Sequence, residues 1–473
     1  MRVLKSHLKT SVAALCVVLP CAAFAEAPIL VTSGADAGAD SLRAALATAA
    51  ASGAPSTIVL APGTHIDLAS GLTYGGTDAL AIRGNGARIT SLANITLLTA
   101  SEGADLTLTG LTLQGPGGFD INNRGDIDQT AGKGIFVDVR DDQSGVVTLR
   151  LSDVTVANVA GHGVHISDCS LADDCGSGGG GAGEGSPASI SVVFSDVTID
   201  GVGQGRFDAD GLRVDERSAG SIHLVATGST FMGVGADGAE LDEGQDGDVI
   251  VMVTDTLFIR NGDYCDPAIL SAFMPAEPEG EFEQGKMTEA EIPGPITSSP
   301  DDRCFEREVD LHEDGSVEEY EFANDVDDGF DIDEAGAGSI LATVTRATIS
   351  DNFDEGLDFD EEGAVSIELA IFDSTARGNT DDAIKNSEEG PGHAIGIVAN
   401  VSVTNNGGVG VVFEEEGEGD THVVSLGGIT MGNDDGDTGF EVVQDDDGFG
   451  TFKIMGTTIA DGTDTDGVVM ADG

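Results

Sequence analysis

Two phrases, DDGFDIDEAGAGSI from Asp327 and DEGLDFDEEGAVSI from Asp354, are nearly the same and lie 27 residues apart. In each, carboxylates alternate with apolar residues: Asp331 and Asp333 flank Ile332, and Asp358 and Asp360 flank Phe359. Alternation at period two places both acids of a phrase on one face of a strand. Stacked at one strand spacing, ~4.8 Å, Asp331 lies over Asp358 and Asp333 over Asp360, with ~6.6 Å between the two columns. Glu334, Glu361, Asp327, Asp328, Asp354 and Glu355 extend this mesh. Each like-charged pair costs roughly 1 kcal/mol in water and several times that at an effective dielectric of about 20. The mesh must be screened, partly protonated or loaded with cations, and hard cations such as Ca²⁺ take all-oxygen clusters of this kind.

A second group mixes charge. On successive repeats the outward position after a glycine reads Phe136, His165, Arg213, Glu240. Asp168 or Ser167, Asp215 and Asp242 run beside it, and His162, Asp210 and Asp237 precede the glycines. Histidine, arginine and carboxylates in one patch are the ingredients of proton transfer to a bound polymer. His162, His165 and Arg213 are the candidate catalytic residues. The candidate metal ligands are Asp210, Asp215, Asp237, Glu240, Asp242, Asp328, Asp331, Asp333, Asp358 and Asp360. The competing structural expectation is a solvated acidic face beside an exposed salt ladder of His165, Arg213 and Glu240. Internal pairing is also open to the ladder, because Lys385 follows Asp358 in one column and Arg213 precedes Glu240. Neither an EF-hand nor a GGxGxDxUx calcium repeat is present; GGVGVVFEE lacks the aspartate.

What must position these residues is a repeat. Taking the small residue of each "DG-apolar-x-apolar" phrase as anchor gives Gly134, Gly163, Gly211, Gly238, Gly329, Gly356, Ala383, Gly410, Gly439 and Gly467. Four steps are 27 residues and three are 28 or 29; Gly163 to Gly211 is 48 and Gly238 to Gly329 is 91. A fixed period in the twenties marks a solenoid. Short β-branched strands separated by Gly, Asp and Asn fill it, which excludes helical repeats and predicts a parallel β-helix. Asn352, Asn379 and Asn406, each four residues before an anchor, predict an internal asparagine ladder that satisfies turn amides. ADSLRAALATAAASG predicts a helix capped by Asp40 or Ser41, with Leu42, Ala45, Leu46 and Ala49 on its buried face, covering the first coil.

On the segment SGADAGADSLRAALATAAASGAPSTIVLAPGTHIDL and the coils that follow, the chain resembles secreted bacterial right-handed parallel β-helix proteins of the pectate-lyase-like superfamily. The resemblance implies an all-β fold, a right-handed parallel β-helix with an N-terminal capping helix; each of the two long steps holds a cysteine pair, so two disulfide-containing inserts are expected. The resemblance leaves function open, since that superfamily holds lyases, hydrolases, epimerases, adhesins and tail-spikes. Its uronic-acid lyases use an Arg or Lys base with Ca²⁺ neutralising the sugar carboxylate, which would make Arg213 the base with His162 or His165 assisting. GHGVHIS and NTDDAIKN resemble polygalacturonase segments, but His162 and Asp382 stand about five coils, ~24 Å, apart and cannot share one bond.

Composition bounds the partners. Lys+Arg 21 against Asp+Glu 84 gives a formal net charge of -63, which repels nucleic acid and anionic lipid and gathers cations. Hydrophobic residues at 40% argue against disorder. The absence of Trp and the presence of only 3 Tyr weigh against an aromatic sugar-binding groove. Residues 1–25 read as a signal peptide, with a basic start, an apolar run and Ala23-Phe24-Ala25 before Glu26, so a secreted or periplasmic location is expected. No stretch reads as a membrane span. Cys169, Cys175, Cys265 and Cys304 then remain, and an even number in an exported chain favours disulfides, Cys169–Cys175 and Cys265–Cys304 being the simplest of three pairings.

The expected layout is a cap and first coils over 26–130, then coils over 131–473 with inserts near 169–188 and 262–323. The expected function is Ca²⁺ binding together with contact to an extracellular or envelope polymer, as in an adhesion or scaffold protein. The alternatives are a Ca²⁺-dependent polysaccharide lyase or related carbohydrate enzyme, and a purely structural solenoid.

Overall fold

The computed structural model describes residues 27–120, 131–169, 185–206, 208–262, 275–293, 305–312, 315–324, 326–445 and 448–471. The expected signal peptide and Cys175, Cys265 and Cys304 lie outside the described residues. The chain winds as a parallel β-helix. One wall is a twelve-stranded sheet whose spatial order follows the chain. Its strands are β1 (Leu72–Tyr74), β2 (Leu98–Ala100), β3 (Ile135–Asp138), β4 (Val164–Ser167), β5 (Leu212–Glu216) and β6 (Ala239–Glu243). They continue as β7 (Asp331–Glu334), β8 (Asp358–Glu361), β9 (Lys385–Glu388), β10 (Val412–Glu415), β11 (Thr438–Val443) and β12 (Gly462–Asp466). A twenty-stranded sheet forms the remaining walls. Several of its longer strands bend at a left-handed residue, such as Asp153 and Asp196, both at φ 53.

The repeat period becomes register. Phe136 pairs with His165, His165 with Arg213, Arg213 with Glu240, Glu240 with Asp331, Asp331 with Asp358, and Asp358 with Lys385. The two long steps do not disturb it. The larger insert leaves the wall at Gly262 and returns at Asp327, and these residues touch: a Cβ on Gly262 (φ +76) would lie 1.6 Å from the Asp327 carbonyl oxygen. Within that insert, Glu279–Glu281, Phe305–Leu311 and Val317–Asn324 form a small antiparallel sheet.

Inside, apolar side chains stack coil on coil. Phe194, Phe231, Phe258, Phe330 and Phe359 form one file with ring centroids 5.0 to 6.3 Å apart. The asparagine ladder is present and longer than expected: Asn261, Asn352, Asn379, Asn406 and Asn433 each pass an amide N–H to the next side chain, ending on Asp461, at 2.7 to 3.1 Å. Helix α1 (Leu42–Ala50) is capped by Ser41, whose Oγ accepts the Ala44 N–H, and it buries Leu42, Ala45, Leu46 and Ala49. It packs on the first strands and closes that end of the core.

One anchor was misplaced. Thr438 pairs with Gly462 across a bulge, so Gly462 opens the last wall strand and Gly467 follows its end. The final coil is shorter than the rest, and the spacing rule carried past it. Among the described residues no helix is long and apolar enough to cross a membrane.

Candidate functional site

Three columns run along the twelve-stranded wall: the position before each anchor, and two outward positions within each strand. Over β3–β6 they hold the mixed-charge group. His165 Nε2 donates to Asp215 Oδ2 at 2.6 Å, and its Nδ1 accepts from Lys133 Nζ at 2.5 Å. Lys133 also lies 4.6 Å from the centre of the Phe136 ring. His162 stacks beside His165 at 4.7 Å, and its Nδ1 accepts the Asp210 backbone N–H. The ring proton therefore sits on Nε2, which is buried and has no hydrogen-bond partner. Burial, reinforced by His165 and Lys133, pushes the His162 pKa well down, so the ring is neutral.

Arg213 is the hub. It donates to Asp215 at 2.7 Å, to Asp242 at 3.2 Å, to Asp208 at 3.4 Å and to Glu240. Arg217 makes a second bond to Asp242. Burial opposes both charges of the Arg213–Asp215 pair, but the partners outweigh it: Asp215 is held well below the usual carboxylate range and Arg213 well above the usual guanidinium value.

The sequence led us to expect this group on the surface. The side chains do point out of the coil, yet His162, His165, Asp210, Arg213, Asp215, Glu240 and Asp242 are all buried. An exposed salt ladder is therefore not what these residues form. Nor can Arg213 serve as a base: four carboxylates hold its proton in place. Lys133 was missed, although Gly132-Lys133-Gly134 repeats the Gly161-His162-Gly163 phrase one coil earlier and pointed to it.

Over β7–β9 the same columns carry acid with little compensation. Asp328, Glu355 and Asp358 each offer one oxygen, all within 4.8 Å of one another. Oδ1 of Asp328 and Oδ1 of Asp358 are buried without a hydrogen-bond partner. Burial, then Glu355 and Asp358, push Asp328 well up, and burial with Asp354 and Asp358 raises Glu355 to about 9. Burial is the larger cause of both shifts, and the repulsion that adds to it is what a cation would relieve. Glu240, Asp331 and Asp333 form another such group, but Glu240 is already held by Arg213. Asp360 lies 3.8 Å from Lys385 Nζ, which bonds Asp358 Oδ2 at 2.9 Å. Asp237 spends Oδ1 on the Asp328 backbone N–H. Among the sequence-predicted ligands, Asp328 and Asp358 fit a hard cation best, with Glu355 joining them: oxygen-only donors, two of them orphaned and half-open to solvent through Glu355 and Asp358.

Glu334 and Glu361 do not belong to the outward mesh. They turn inward at the strand ends and are 0% exposed.

No family model matches the chain, and no curated protein matches it by sequence. Among solved structures it is similar to two Azotobacter vinelandii mannuronan C-5 epimerase A-modules. With that of AlgE4 it shares 11% identity over 93% of this chain and 97% of that one, TM-score 0.47. With that of AlgE6 it shares 13% over the same shares, TM-score 0.43. The pectate lyase Pel9A aligns at 11% identity over 94% of this chain and 79% of that one, TM-score 0.28. These likenesses assign no residue a role; the parallel ladders of the chain itself define its fold.

Proposed function

We propose that the protein binds Ca²⁺ at Asp328, Glu355 and Asp358 and through that ion holds an acidic extracellular polysaccharide. The observation that supports this reading is that Asp328, Glu355 and Asp358 each bring one oxygen within 4.8 Å of the others, while Oδ1 of Asp328 and Oδ1 of Asp358 are buried without a hydrogen-bond partner. Ca²⁺ takes about six to eight oxygens. Three from protein leave positions for water or for carboxylate and hydroxyl oxygens of a polymer. An ion in that role also lets a chain of net charge -63 meet a polyanion without direct repulsion.

The test is thermal unfolding in chelator, then across a Ca²⁺ titration with Mg²⁺ as control, followed by co-sedimentation with a polyuronate. A saturable rise in Tm specific to Ca²⁺, lost in D328N/D358N, is expected; a ligand at 100 times its Kd stabilises the native state by about 2.7 kcal/mol. Equal shifts from Mg²⁺ or Na⁺ at matched ionic strength would reduce the acid to solubilising charge.

A second reading rests on the Lys133–His165–Asp215 chain, a histidine oriented at both nitrogens. It is a carbohydrate-active enzyme in which His165, rather than Arg213, exchanges the proton while Arg213 fixes Asp215. Incubation with polyuronates, watching for the absorbance of a new carbon–carbon double bond conjugated to a carboxylate, tests the lyase form. Activity abolished by H165A supports it, and no product from any uronate tested removes it.

A further inference from the structure

One buried acid column takes no part in either reading. Glu216 pairs with Glu243, Glu243 with Glu334, Glu334 with Glu361, Glu361 with Glu388, and Glu388 with Glu415. All six are 0% exposed, and equivalent atoms stand one strand spacing, ~4.8 Å, apart. Each accepts backbone N–H groups of the turn that follows it: Glu216 and Glu243 with both oxygens, Glu361 with Oε1 from Gly363. In Glu334, Glu388 and Glu415, Oε1 accepts the backbone N–H of the second and fourth residues on, both glycines, at 2.7 to 3.2 Å. Those glycines are required: a Cβ on Gly338, Gly363 or Gly390 would lie 1.5 to 1.6 Å from the carbonyl oxygen of the preceding turn. With Oε1 committed, Oε2 of Glu334, Glu361 and Glu388 is left buried without a donor.

Six stacked carboxylates, three of them with an orphaned oxygen, are not a stable arrangement if all are charged. Three remedies exist: a cation file, compensating basic side chains, or protons. Each gap between rungs offers an ion only the Oε2 atoms, well short of the oxygen shell a hard cation takes. The groups that act on Glu243, Glu334, Glu361 and Glu388 are backbone amides and other carboxylates of the column, with no Lys or Arg among them. At one end Asp168 lies over Glu216, its own oxygens taken by the Ser186 and Arg217 backbone N–H groups. At the other end the next rung is Gln444. Its Nε2 donates to Glu415 Oε2, and its Oε1 accepts the Thr421 N–H at 2.7 Å. An amide at that rung supplies the donor that a neutral carboxylic acid would supply.

We propose that the glutamate column carries protons in the folded state, neutral acids alternating with carboxylates so that each O–H bridges to the next coil. Such O–H···O⁻ bonds are short and strong, and a chain of them is satisfied throughout. Burial and the neighbouring glutamates raise Glu388 to about 8, which accords with a proton retained there at neutral pH. These groups titrate as a set. An acid whose pKa is raised by folding contributes stability that is lost as pH climbs from its unfolded value toward its folded one. The column therefore weakens the fold on the alkaline side.

The experiment is infrared spectroscopy of the folded protein at neutral pH in chelator, paired with urea unfolding from pH 6 to 10 at high salt. The wild type should show the C=O stretch of neutral carboxylic acids and a midpoint that falls as pH rises. E334Q/E388Q, which puts amides at two alternate rungs whose Oε2 has no donor, in step with Gln444, should lose part of that band and flatten the pH profile while remaining folded. A wild-type spectrum without the neutral-acid band overturns the proposal even if the variant does not fold. A variant whose pH slope matches the wild type overturns it as well. Neither readout depends on Ca²⁺ binding or on any polymer.

Discussion

The mixed-charge coils around Arg213 and the acid-only coils around Asp358 are built on the same three columns with the same register, and they solve burial of charge in opposite ways. Around Arg213 the carboxylates meet a guanidinium or an imidazole. The partners outweigh desolvation at Asp215, while burial still raises Asp210 and Asp242 to about 7, and Asp210 keeps oxygens without a donor. Around Asp358 a single lysine serves a crowd of acids, and oxygens remain orphaned. One scaffold thus carries a largely paired electrostatic network and a largely unpaired one, set by a few substitutions at repeating positions.

The largest effect expected from breaking this contrast is R213M. It removes the guanidinium from Glu240 and leaves Asp215 and Asp242 with only His165 and Arg217, and loss of one partner from a buried network costs about 3–5 kcal/mol. Urea unfolding should show that loss or failure to fold. D328N/D358N should act in the other direction: with repulsion relieved, the variant should be more stable than wild type in chelator and indifferent to Ca²⁺, read as Tm in the two conditions. N379A, in the wall shared by both regions, should cost about 1–3 kcal/mol by leaving neighbouring ladder amides without acceptors. The two networks should also part company with pH. Asp215, held low by Arg213 and His165, contributes stability present above its unfolded value and lost as pH falls, so acid unfolding should be shallower in R213M. The smallest effect belongs to R346A: the Arg346–Asp255 pair is 51% exposed at both side chains, and unfolding midpoints should not change measurably.

Much of this was open to reading from the chain alone. The period, the cap residues, the asparagine ladder and the pairing of Asp331 with Asp358 follow from alternation and spacing, which are local properties. Burial of the Arg213 group was not readable, because alternation says which way a side chain leaves a strand and nothing about what covers it. Glu334 and Glu361 follow Asp333 and Asp360 in the strand, so alternation itself puts them inside with Ile332 and Phe359; adding them to the outward mesh broke that rule. Their carboxylates accept glycine amides there. Gly462 was missed because a bulge shortens the last coil, and a spacing rule has no means of seeing a bulge.

The meeting of Gly262 and Asp327 at the mouth of the large insert has a consequence for how such a molecule can change over time. The winding on either side continues as if the lobe were not there, with the Gly238 N–H bonded to the Asp328 carbonyl. Lengthening a closed loop adds only about 0.6 kcal/mol per doubling. That junction is therefore a splice point: a lobe of different size or chemistry can be exchanged there, and the columns on the wall keep their alignment whichever lobe it carries.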